Sequence, residues 1–299
     1  MRAWSSADFT IALPEGHRFP ITKYAAVREG VVARGLLPRS SIHVPDRVER
    51  WALGLVHTPR YVDAVLDGSL GAAEQRRLGF PWGPGLPERS LRTVQATVEA
   101  ARDALADGAG ITLAGGTHHA FPDHGEGFCV FNDVAVAIRL LEREGRVHRT
   151  AIIDLDVHQG NGTARIFGDD PGVFTFSMHG ARNFPFRKER SSLDVELDDG
   201  TGDAAYLALL DRHLGAVLDA ARPELACYLA GADPYAGDRF GRLGMSMEGL
   251  RRRDRRVFSA CRARGIPVVL TLAGAYAREI GDIVTMHANT VEELLSSHG

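Results

Sequence analysis

The sequence predicts an α/β fold in which a central, mainly parallel, multi-stranded sheet carries helices on both faces. Short apolar runs alternate with helical patterns through the last two thirds of the chain, and polar residues follow the runs ITLAGG, AIIDLD, ACYLAG and VVLTLAG. This alternation is typical of βαβ units, which form parallel sheets. No internal repeat, low-complexity linker or compositional break interrupts residues 1–299. We therefore expect one domain with long loops at the carboxyl ends of its strands.

The elements can be predicted in chain order. The first 90 residues are less regular, and 80–87 (FPWGPGLP) is expected to be a loop because of its prolines and glycines. Hydrophobic periodicity then predicts helices at 90–105, 131–144, 203–221 and 247–264 and at the C-terminus. Strands are predicted at 111–116, 150–156, 173–178, 193–197, 225–230 and 267–273.

Composition narrows the class of protein. A net charge of -3 and a pI near 6.5 give no reason to expect nucleic acid or anionic lipid as the main partner. Cys129, Cys227 and Cys261 form no CxxC motif and fit a reducing compartment. The N-terminus lacks a signal-peptide pattern, and no apolar stretch approaches the ~18 residues of a membrane span. We therefore expect a soluble, cytoplasmic protein.

A group of metal-type ligands follows two of the predicted strands. Asp154 and Asp156 are two residues apart, so on a strand both would project to one face, and His158 comes just beyond. Asp233 follows another strand. A catalytic zinc site typically has three protein ligands and one open position, which these residues could supply. The alternative is a solvated strand end whose carboxylates cap the next turn, but His158 and Asp233 favour the metal.

Candidate acid–base groups follow two further strands. The pair His118-His119 comes after a glycine turn, and Tyr276 comes after the Gly/Ala turn that ends the last strand. A neutral imidazole can take a proton from water and return it to a leaving amine near pH 7. A phenol can donate a hydrogen bond to a developing oxyanion. The alternatives are ordinary hydrogen-bonding histidines and a packing tyrosine, and the position of all three beside the metal-type ligands favours catalysis.

The motifs together resemble the zinc-dependent histone deacetylase family of the arginase–deacetylase superfamily. In order along the chain they are GGTHHA, GEGFCVFND, DLDVHQGNGT, SMHG, GADPYAGDRFGRLGMS and LAGAY, within a match that runs from about His17 to Tyr276. HQGNGT and GDRFGRLGMS are most similar to the class IV deacetylases and to their bacterial relatives, the histone deacetylase-like amidohydrolases. The resemblance implies the arginase–deacetylase fold and hydrolysis of acylated amines.

The resemblance also implies a role for particular residues. Zinc would be bound by Asp156, His158 and Asp233, with iron(II) or cobalt(II) as alternatives that such a site accepts. The catalytic residues would be the general base His119, its neighbour His118, their respective partners Asn161 and Asp154, and Tyr276, which would polarise the scissile carbonyl. Gly127 and Phe128 would form one wall of an acyl-lysine tunnel and Phe184 the other. A structural potassium ion would be held by Asp154, Asp156, His158, Ser177 and Met178.

Two positions depart from the family pattern. Many relatives have Asp where this chain has Asn161, and an amide stabilises an imidazolium less than a carboxylate does. We therefore expect His119 to have a lower working pKa than in those relatives. Ala275 stands where the family usually has glycine before the tyrosine. If that backbone needs a positive φ, a β-carbon would cost about 1–2 kcal/mol and could displace Tyr276.

The sequence leaves several functions open. The leading one is a zinc-dependent amidohydrolase that removes acetyl or longer fatty acyl groups from lysine side chains of a protein or peptide. The alternatives are an acetylpolyamine amidohydrolase acting on a small acylated amine, and a catalytically weak protein that binds acyl-lysine. The segment 182–190 is basic, which disfavours a polycation. A binuclear manganese site of the arginase type would need more carboxylates. Acyl chain length, natural substrate, metal and oligomeric state stay open.

Overall fold

A single parallel sheet forms the centre of the computed structural model, which describes residues 1–298. In chain order its strands are β1 (Ala3–Trp4), β2 (Ile42–His43), β3 (Ala109–Thr112), β4 (Thr150–Asp154), β5 (Val173–Gly180), β6 (Leu193–Leu197), β7 (Leu225–Leu229) and β8 (Val268–Thr271). Across the sheet they lie in the order β2-β1-β3-β8-β7-β4-β5-β6. Every neighbouring pair is parallel.

Helices connect the strands and cover both faces of the sheet. They are α1 (Lys23–Ala33), α2 (Arg50–Leu53), α3 (Pro59–Asp67), α4 (Ala72–Leu78), α5 (Gly85–Asp107), α6 (Asp133–Arg143), α7 (Asn161–Phe167), α8 (Asp203–Ala221), α9 (Met247–Ala263) and α10 (Ile280–His298). The core on one face contains buried residues of α1, α8, α9 and α10, and the core on the other contains residues of α2, α3, α5 and α6.

The four central strands β3, β8, β7 and β4 are buried along their whole length. In β4, Ile152 belongs to one core and Ile153 to the other, because successive side chains of a strand point to opposite faces. Strands buried on both faces need apolar residues at nearly every position, which explains the continuous apolar runs in the sequence. None of the helices within residues 1–298 has the length and hydropathy of a membrane span.

The predicted α/β fold is confirmed, and the sheet is wholly rather than mainly parallel. The strands predicted at 111–116 and 150–156 end at Thr112 and Asp154, so Asp156 lies in the following loop and not on the strand. Residues 85–87 of the predicted loop are the start of α5, since proline is tolerated in the first turn of a helix. The two-residue strands β1 and β2 were not predicted, because two residues show no periodicity.

The strand order determines where the loops meet. The strands β3, β8, β7 and β4 are consecutive neighbours, and each of them is followed by a loop that carries candidate functional residues. Since the strands are parallel, their carboxyl ends form one edge of the sheet, where ligands bind in open α/β folds. The loops that begin at residues 113, 155, 230 and 272 therefore converge at this edge.

Candidate metal centre and catalytic site

A narrow cavity of about 40 Å³ lies where the loops after β3, β4 and β8 meet the segment before α1. It brings together both histidines of the His118-His119 pair, two of the metal-type ligands and Tyr276. Its lining is formed by Phe19, Lys23, Tyr24, Gly115, Gly116, Thr117, His118, His119, Gly127, Phe128, Cys129, Asp156, His158, Ala273, Gly274 and Tyr276.

Three potential ligand side chains converge beside this cavity. Ligand atoms of Asp156, His158 and Asp233 all lie within 4.8 Å of one another. The Nδ1 atom of His158 lies 2.9 Å from Asp156 Oδ1 and 3.2 Å from Asp233 Oδ2. All three side chains are buried. The donor set of two carboxylates and one imidazole is therefore already assembled in the fold.

Backbone amides fix the carboxylates in place. The N–H of Val157 donates to Asp233 Oδ1 at 2.9 Å, and the N–H of Gly274 donates to Asp156 Oδ2 at 2.8 Å. A Cβ at Gly274 would lie 2.0 Å from Asp233 Oδ2 and 2.5 Å from Asp156 Oδ2. Only glycine allows the β8 loop to approach both carboxylates this closely.

The electrostatics of this group fit a cation. Burial, together with the Asp156 carboxylate, raises the pKa of Asp233 to about 7. Burial opposes charge on His158 as well, but Asp156 and Asp233 outweigh it and raise its pKa to about 10. Two buried carboxylates this close resist being charged together unless positive charge lies between them. A divalent cation bound by these three side chains supplies that charge, so the residues fit a metal ion.

The two neighbouring histidines have different partners. His118 Nδ1 donates to Asp154 Oδ2 at 2.7 Å, and His119 Nδ1 donates to Asn161 Oδ1 at the same distance. Burial alone would lower the pKa of His118, but Asp154 and Asp156 outweigh it and raise the pKa to about 9. Burial and the neighbouring His118 hold the pKa of His119 well below its ordinary value.

These hydrogen bonds decide which nitrogen of His119 is free. An amide oxygen can only accept, so the proton lies on His119 Nδ1 and the lone pair on Nε2. The Nδ2 of Asn161 lies 3.5 Å from Glu126 Oε1, which agrees with this orientation of the amide. His119 is therefore neutral with a free lone pair on Nε2, and the neighbouring His118 is cationic.

The turn that carries the histidines is held by Asp133, a residue that the sequence reasoning did not single out. Its carboxylate accepts the N–H of Gly116 at 3.0 Å and that of Thr117 at 2.7 Å. Gly115 and Gly116 both have positive φ, at 76° and 73°. The motif GEGFCVFND contains Asp133, so the signal was present, although nothing in the sequence says that this aspartate faces the histidine turn.

Tyr276 is positioned by a neighbouring loop. Its N–H donates to Asp238 Oδ2 at 2.6 Å, and its carbonyl accepts from Arg239 Nε at 2.9 Å. Burial raises the pKa of Tyr276 well above its usual value, so the phenol stays protonated and can donate. Asp238 and Arg239 lie in the motif GDRFGRLGMS, but they were not predicted to support the tyrosine.

The strain that the sequence led us to expect at Ala275, just before Tyr276, is not found there. Among residues 1–298, the non-glycine residues with positive φ are Phe128, Arg222 and Ala273, so Ala275 is not in the left-handed region. The unusual conformation lies two residues earlier, at Ala273, with φ of 52°. Ala275 itself is buried and accepts a hydrogen bond from Lys23 Nζ at 3.2 Å. A glycine is therefore not required before this tyrosine.

Lys23 is another residue that the sequence did not single out. Only 2% of it is exposed, and its Nζ lies 4.9 Å from the centre of the Tyr276 ring. A cation at this distance from an aromatic face is attracted by the ring. Lys23 is the first residue of α1 and lies in the less regular first 90 residues, where no motif indicated a functional role for it.

The three residues expected to line a tunnel lie near the histidines. The ring centres of Phe184 and His119 are 4.9 Å apart. A Cβ at Gly127 would be 2.7 Å from His119 Cδ2 and 3.0 Å from Phe184 Cε1, so this glycine lies between the two rings. Phe128 packs against Phe19, with ring centres 5.2 Å apart.

The remaining predicted residues, Ser177 and Met178, lie on β5. In the parallel register Ser177 pairs with Asp154, which places it beside the loop that bears the ligands. Its hydroxyl hydrogen-bonds His179 Nδ1 at 2.9 Å. Within residues 1–298, the Ser177 side chain makes no hydrogen bond to residues 154–158.

Comparison with known proteins gives consistent results. Residues 17–291 match the family model described as Histone deacetylase domain. The chain is 45% identical over 281 residues to an uncharacterized protein of Picosynechococcus sp., and the alignment covers 94% of each protein. It is 31% identical over 300 residues to Histone deacetylase 2 of Arabidopsis thaliana, with 97% of this chain and 77% of that protein covered.

A solved structure supports the same fold. The crystal structure of an HDAC homolog complexed with SAHA aligns with a TM-score of 0.83 over 99% of this chain and 84% of that one. The two sequences are 21% identical, so this likeness concerns the fold.

Proposed function

The chain belongs to the histone deacetylase family of hydrolases, and from that premise we propose that it is a metal-dependent amidohydrolase that removes acyl groups from lysine side chains. One observation carries the proposal. The ligand atoms of Asp156, His158 and Asp233 converge within 4.8 Å beside a cavity that also contains His119 and Tyr276. We infer further that residues 1–299 act as one catalytic domain.

We propose zinc as the metal, with iron(II) as an alternative in the cell, held by Asp156, His158 and Asp233. When bound, the metal ion supplies Lewis acidity to the attacking water and to the amide oxygen. With that chemistry supplied by the metal, the protein's own side chains have to transfer protons and stabilise charge.

His119 is the general base of this proposal. Its Nε2 carries the lone pair because Nδ1 is committed to Asn161 at 2.7 Å. It accepts a proton from the attacking water and returns it to the lysine amine as the amide bond breaks. His118, held cationic by Asp154, adds positive charge near the site.

Tyr276 stabilises the amide oxygen as it gains negative charge. The phenol remains a donor because burial raises its pKa. Asp238 and Arg239 hold its backbone, so the donor is in position before the substrate arrives. Donors that are positioned in advance need no reorganisation in the transition state.

For the acyl group we propose chains longer than acetyl, as in the class IV relatives. Gly127, Phe128 and Phe184 would line the lysine tunnel. A second cavity of about 40 Å³ shares Phe19 and Phe128, among other residues, with the catalytic cavity. The residues that line only this second cavity are apolar at Ile11, Phe80, Val94, Val130 and Phe131 and polar at Arg89, Ser90 and Thr93. A largely apolar space next to the catalytic cavity supports an acyl chain that extends beyond two carbons.

We also propose a structural potassium ion beside the ligand loop, held by Asp154, Asp156, His158, Ser177 and Met178. The register that sets Ser177 beside Asp154 supports this grouping. Oxygen atoms from β4, its loop and β5 would form the site.

The test is a series of lysine peptides from acetyl to myristoyl, incubated with zinc-loaded enzyme, beside N-acetylputrescine and N-acetylspermidine. His119→Ala is the blank. Hydrolysis of the peptides, rising with chain length, is the expected result. Preference for the acetylated amines would move the function to polyamine hydrolysis. Binding of the peptides without turnover above the blank would indicate an acyl-lysine-binding protein.

A further inference from the structure

The loop of residues 181–192, called here the rim loop, joins β5 to β6 beside the catalytic cavity. Its Phe184 lies against the catalytic residues, with ring centres 4.9 Å from His119 and 6.4 Å from His158. A peptide that presents an acylated lysine to His119 must therefore pass close to this loop.

Internal hydrogen bonds give the rim loop a fixed shape. Lys188 Nζ donates to the carbonyls of Asn183 and Pro185 at 2.7 and 2.6 Å. The N–H of Glu189 donates to Gln159 Oε1 at 2.8 Å, and Gln159 Nε2 returns a bond of 2.7 Å to the Glu189 carbonyl. A surface that is ordered in advance loses little conformational entropy on binding.

The rim loop exposes an aromatic side chain to solvent. Phe186 is 86% exposed, and its ring centre lies 6.3 Å from that of Phe184. The other large apolar residues that reach the surface within residues 1–298 are 41–51% exposed. An aromatic side chain held outward beside an active site is typical of a contact surface, because such rings supply much of the energy at interfaces.

The charges beside Phe186 are mainly positive. Arg182, Arg187 and Arg190 are all exposed. Arg182 Nε lies 3.9 Å from Asp199 Oδ2, and that carboxylate also faces Arg242 at 3.5 Å. Arg187 and Arg190 have no ion-pair partner among residues 1–298.

Carboxylates near the cavity cancel only part of this charge. Glu189 is the single acidic residue of the rim loop, which has four basic ones. Asp238 is turned inward, where it accepts the N–H groups of Phe240 and Gly241 at 2.8 and 2.9 Å. The neighbouring Arg239 is exposed, and its guanidinium donates to the backbone carbonyls of Arg18 and Tyr276 at 3.0 and 2.9 Å. Its positive charge therefore also lies near the opening of the cavity.

We propose that the rim loop selects acylated lysines that lie in an acidic sequence, with Phe186 contacting the peptide and Arg182 and Arg187 facing its carboxylates. The inference rests on the proposed function and narrows its substrate class. Complementary charge at the edge of an interface favours the matching partner and penalises one of like charge. Lysine-rich tails and polyamines are then disfavoured substrates.

The experiment uses three peptides with the same acyl-lysine and the same length. Their flanking residues are Asp and Glu in the first, Ser and Gln in the second, and Lys and Arg in the third. With zinc-loaded enzyme we expect a KM for the acidic peptide about tenfold or more below that of the basic one, with similar kcat. The difference should shrink at high salt, since exposed charges are screened.

Two variants test the residues. The double substitution Arg182→Glu/Arg187→Glu should reverse the order of the KM values without lowering kcat on the neutral peptide. Its matched control is Arg146→Glu/Arg212→Glu, which makes the same change of charge at exposed positions before β4 and on α8. Phe186→Ser should raise KM for all three peptides by a similar factor.

Each outcome has one meaning. Equal KM values for the three peptides, with no effect of Arg182→Glu/Arg187→Glu, would overturn the inference and leave the proposed function intact. Equal KM values together with binding to anionic phospholipid vesicles that this variant abolishes would overturn it in favour of a membrane surface. Turnover of none of the peptides would overturn the proposed function, and the inference with it.

Discussion

The two walls of the catalytic cavity are stabilised in different ways. The ligand wall, residues 154–158 and 231–233, is held from beneath by one buried ion pair on α9. Arg253 Nη1 donates to the carbonyls of Leu155 and Gly231 at 3.2 and 2.7 Å, and its guanidinium pairs with Asp254 at 2.8 Å. A single planar donor group thus ties together the two loops that carry the metal-type ligands.

The tyrosine wall, residues 272–277, depends instead on separate segments of the chain. Asp238 and Arg239 hold the backbone of Tyr276, and Lys23 reaches it from α1. Ala273 has a left-handed conformation that costs a non-glycine residue about 1–2 kcal/mol. The comparison indicates that the metal-type ligands and Tyr276 are held by different contacts and can be disturbed independently.

The largest effect is expected where the two walls touch. Gly274→Ala would place a Cβ 2.0 Å from Asp233 Oδ2 and 2.5 Å from Asp156 Oδ2, so both carboxylates must move. We expect loss of bound zinc and a fall in kcat/KM of more than roughly 100-fold, since even residues that only orient ligands are worth 10- to 100-fold. Zinc content after dialysis and hydrolysis of an acetyl-lysine peptide measure this.

The control for that substitution is Gly281→Ala, because a Cβ there meets nothing within 4 Å. Gly281 lies in the first turn of α10 and outside the cavity lining. Full zinc binding by Gly274→Ala would contradict the close approach of the two walls.

A change confined to the tyrosine wall should leave the metal in place. Tyr276→Phe removes one oxyanion donor, and we expect kcat to fall by about 100- to 1000-fold with KM and zinc content nearly unchanged. Stopped assays of kcat and KM, with metal analysis of the same samples, provide the test. Tyr235→Phe, which removes a partly exposed hydroxyl 3.4 Å from Asp282, is the matched control. Loss of zinc in Tyr276→Phe would show that the walls are coupled.

A substitution beneath the ligand wall should weaken metal binding even when it leaves the net charge of the protein unchanged. Arg253→Lys keeps the positive charge but cannot span both carbonyls. We expect the zinc Kd to rise by about 10- to 100-fold. Competition with a chromophoric chelator measures it, and Arg256→Lys, whose partly exposed side chain on α9 pairs with Asp211 at 2.7 Å, is the control. An unchanged Kd would mean that the ligand loops hold themselves in place.

The two histidines allow a sharper comparison within the cavity. Asn161→Asp would place a carboxylate at His119 Nδ1, as Asp154 already is at His118. A carboxylate favours the imidazolium, so the pKa of His119 should rise, and the base would become neutral only at higher pH. The acidic limb of kcat/KM against pH should therefore move upward. A limb that stays in place would mean that burial and the neighbouring His118 set this pKa whatever group accepts from Nδ1.

The smallest effect is expected at the strained backbone. Ala273→Gly removes the β-carbon from a residue with φ of 52°, so the free energy of unfolding should rise by about 1 kcal/mol, with activity within twofold. Urea unfolding followed by circular dichroism measures the change. Ala275→Gly, whose φ is not in the left-handed region, should not stabilise the protein. A loss of stability in Ala273→Gly would contradict the assignment of strain to this residue.

The same contrast explains how much the sequence could predict. Apolar runs predict the strands, and the residues that follow those runs predict the group formed by Asp156, His158 and Asp233. Asp156 was predicted to lie on the strand itself, but the strand ends at Asp154, because the chain must turn there to bring His158 back.

What the sequence could not predict depends on contacts between distant segments. Lys23 lies next to Ala275 across 252 positions of chain, and Arg253 lies next to Leu155 across 98. Periodicity reports which face of a helix is buried, but not which carbonyl a buried cation will meet. The expected difficulty at Ala275 had the same origin, since the hydrogen bonds that hold that turn come from the distant residues Asp238 and Lys23.

The central claim is that Asp156, His158 and Asp233 hold one metal ion on which amide hydrolysis depends. The most direct measurement is zinc stoichiometry and hydrolysis of an acetyl-lysine peptide by the wild type and by Asp233→Ala, with folding checked by circular dichroism. We expect about one zinc per chain and turnover in the wild type, and neither in a folded Asp233→Ala. Undiminished hydrolysis by Asp233→Ala, or by wild type freed of metal, would contradict the account.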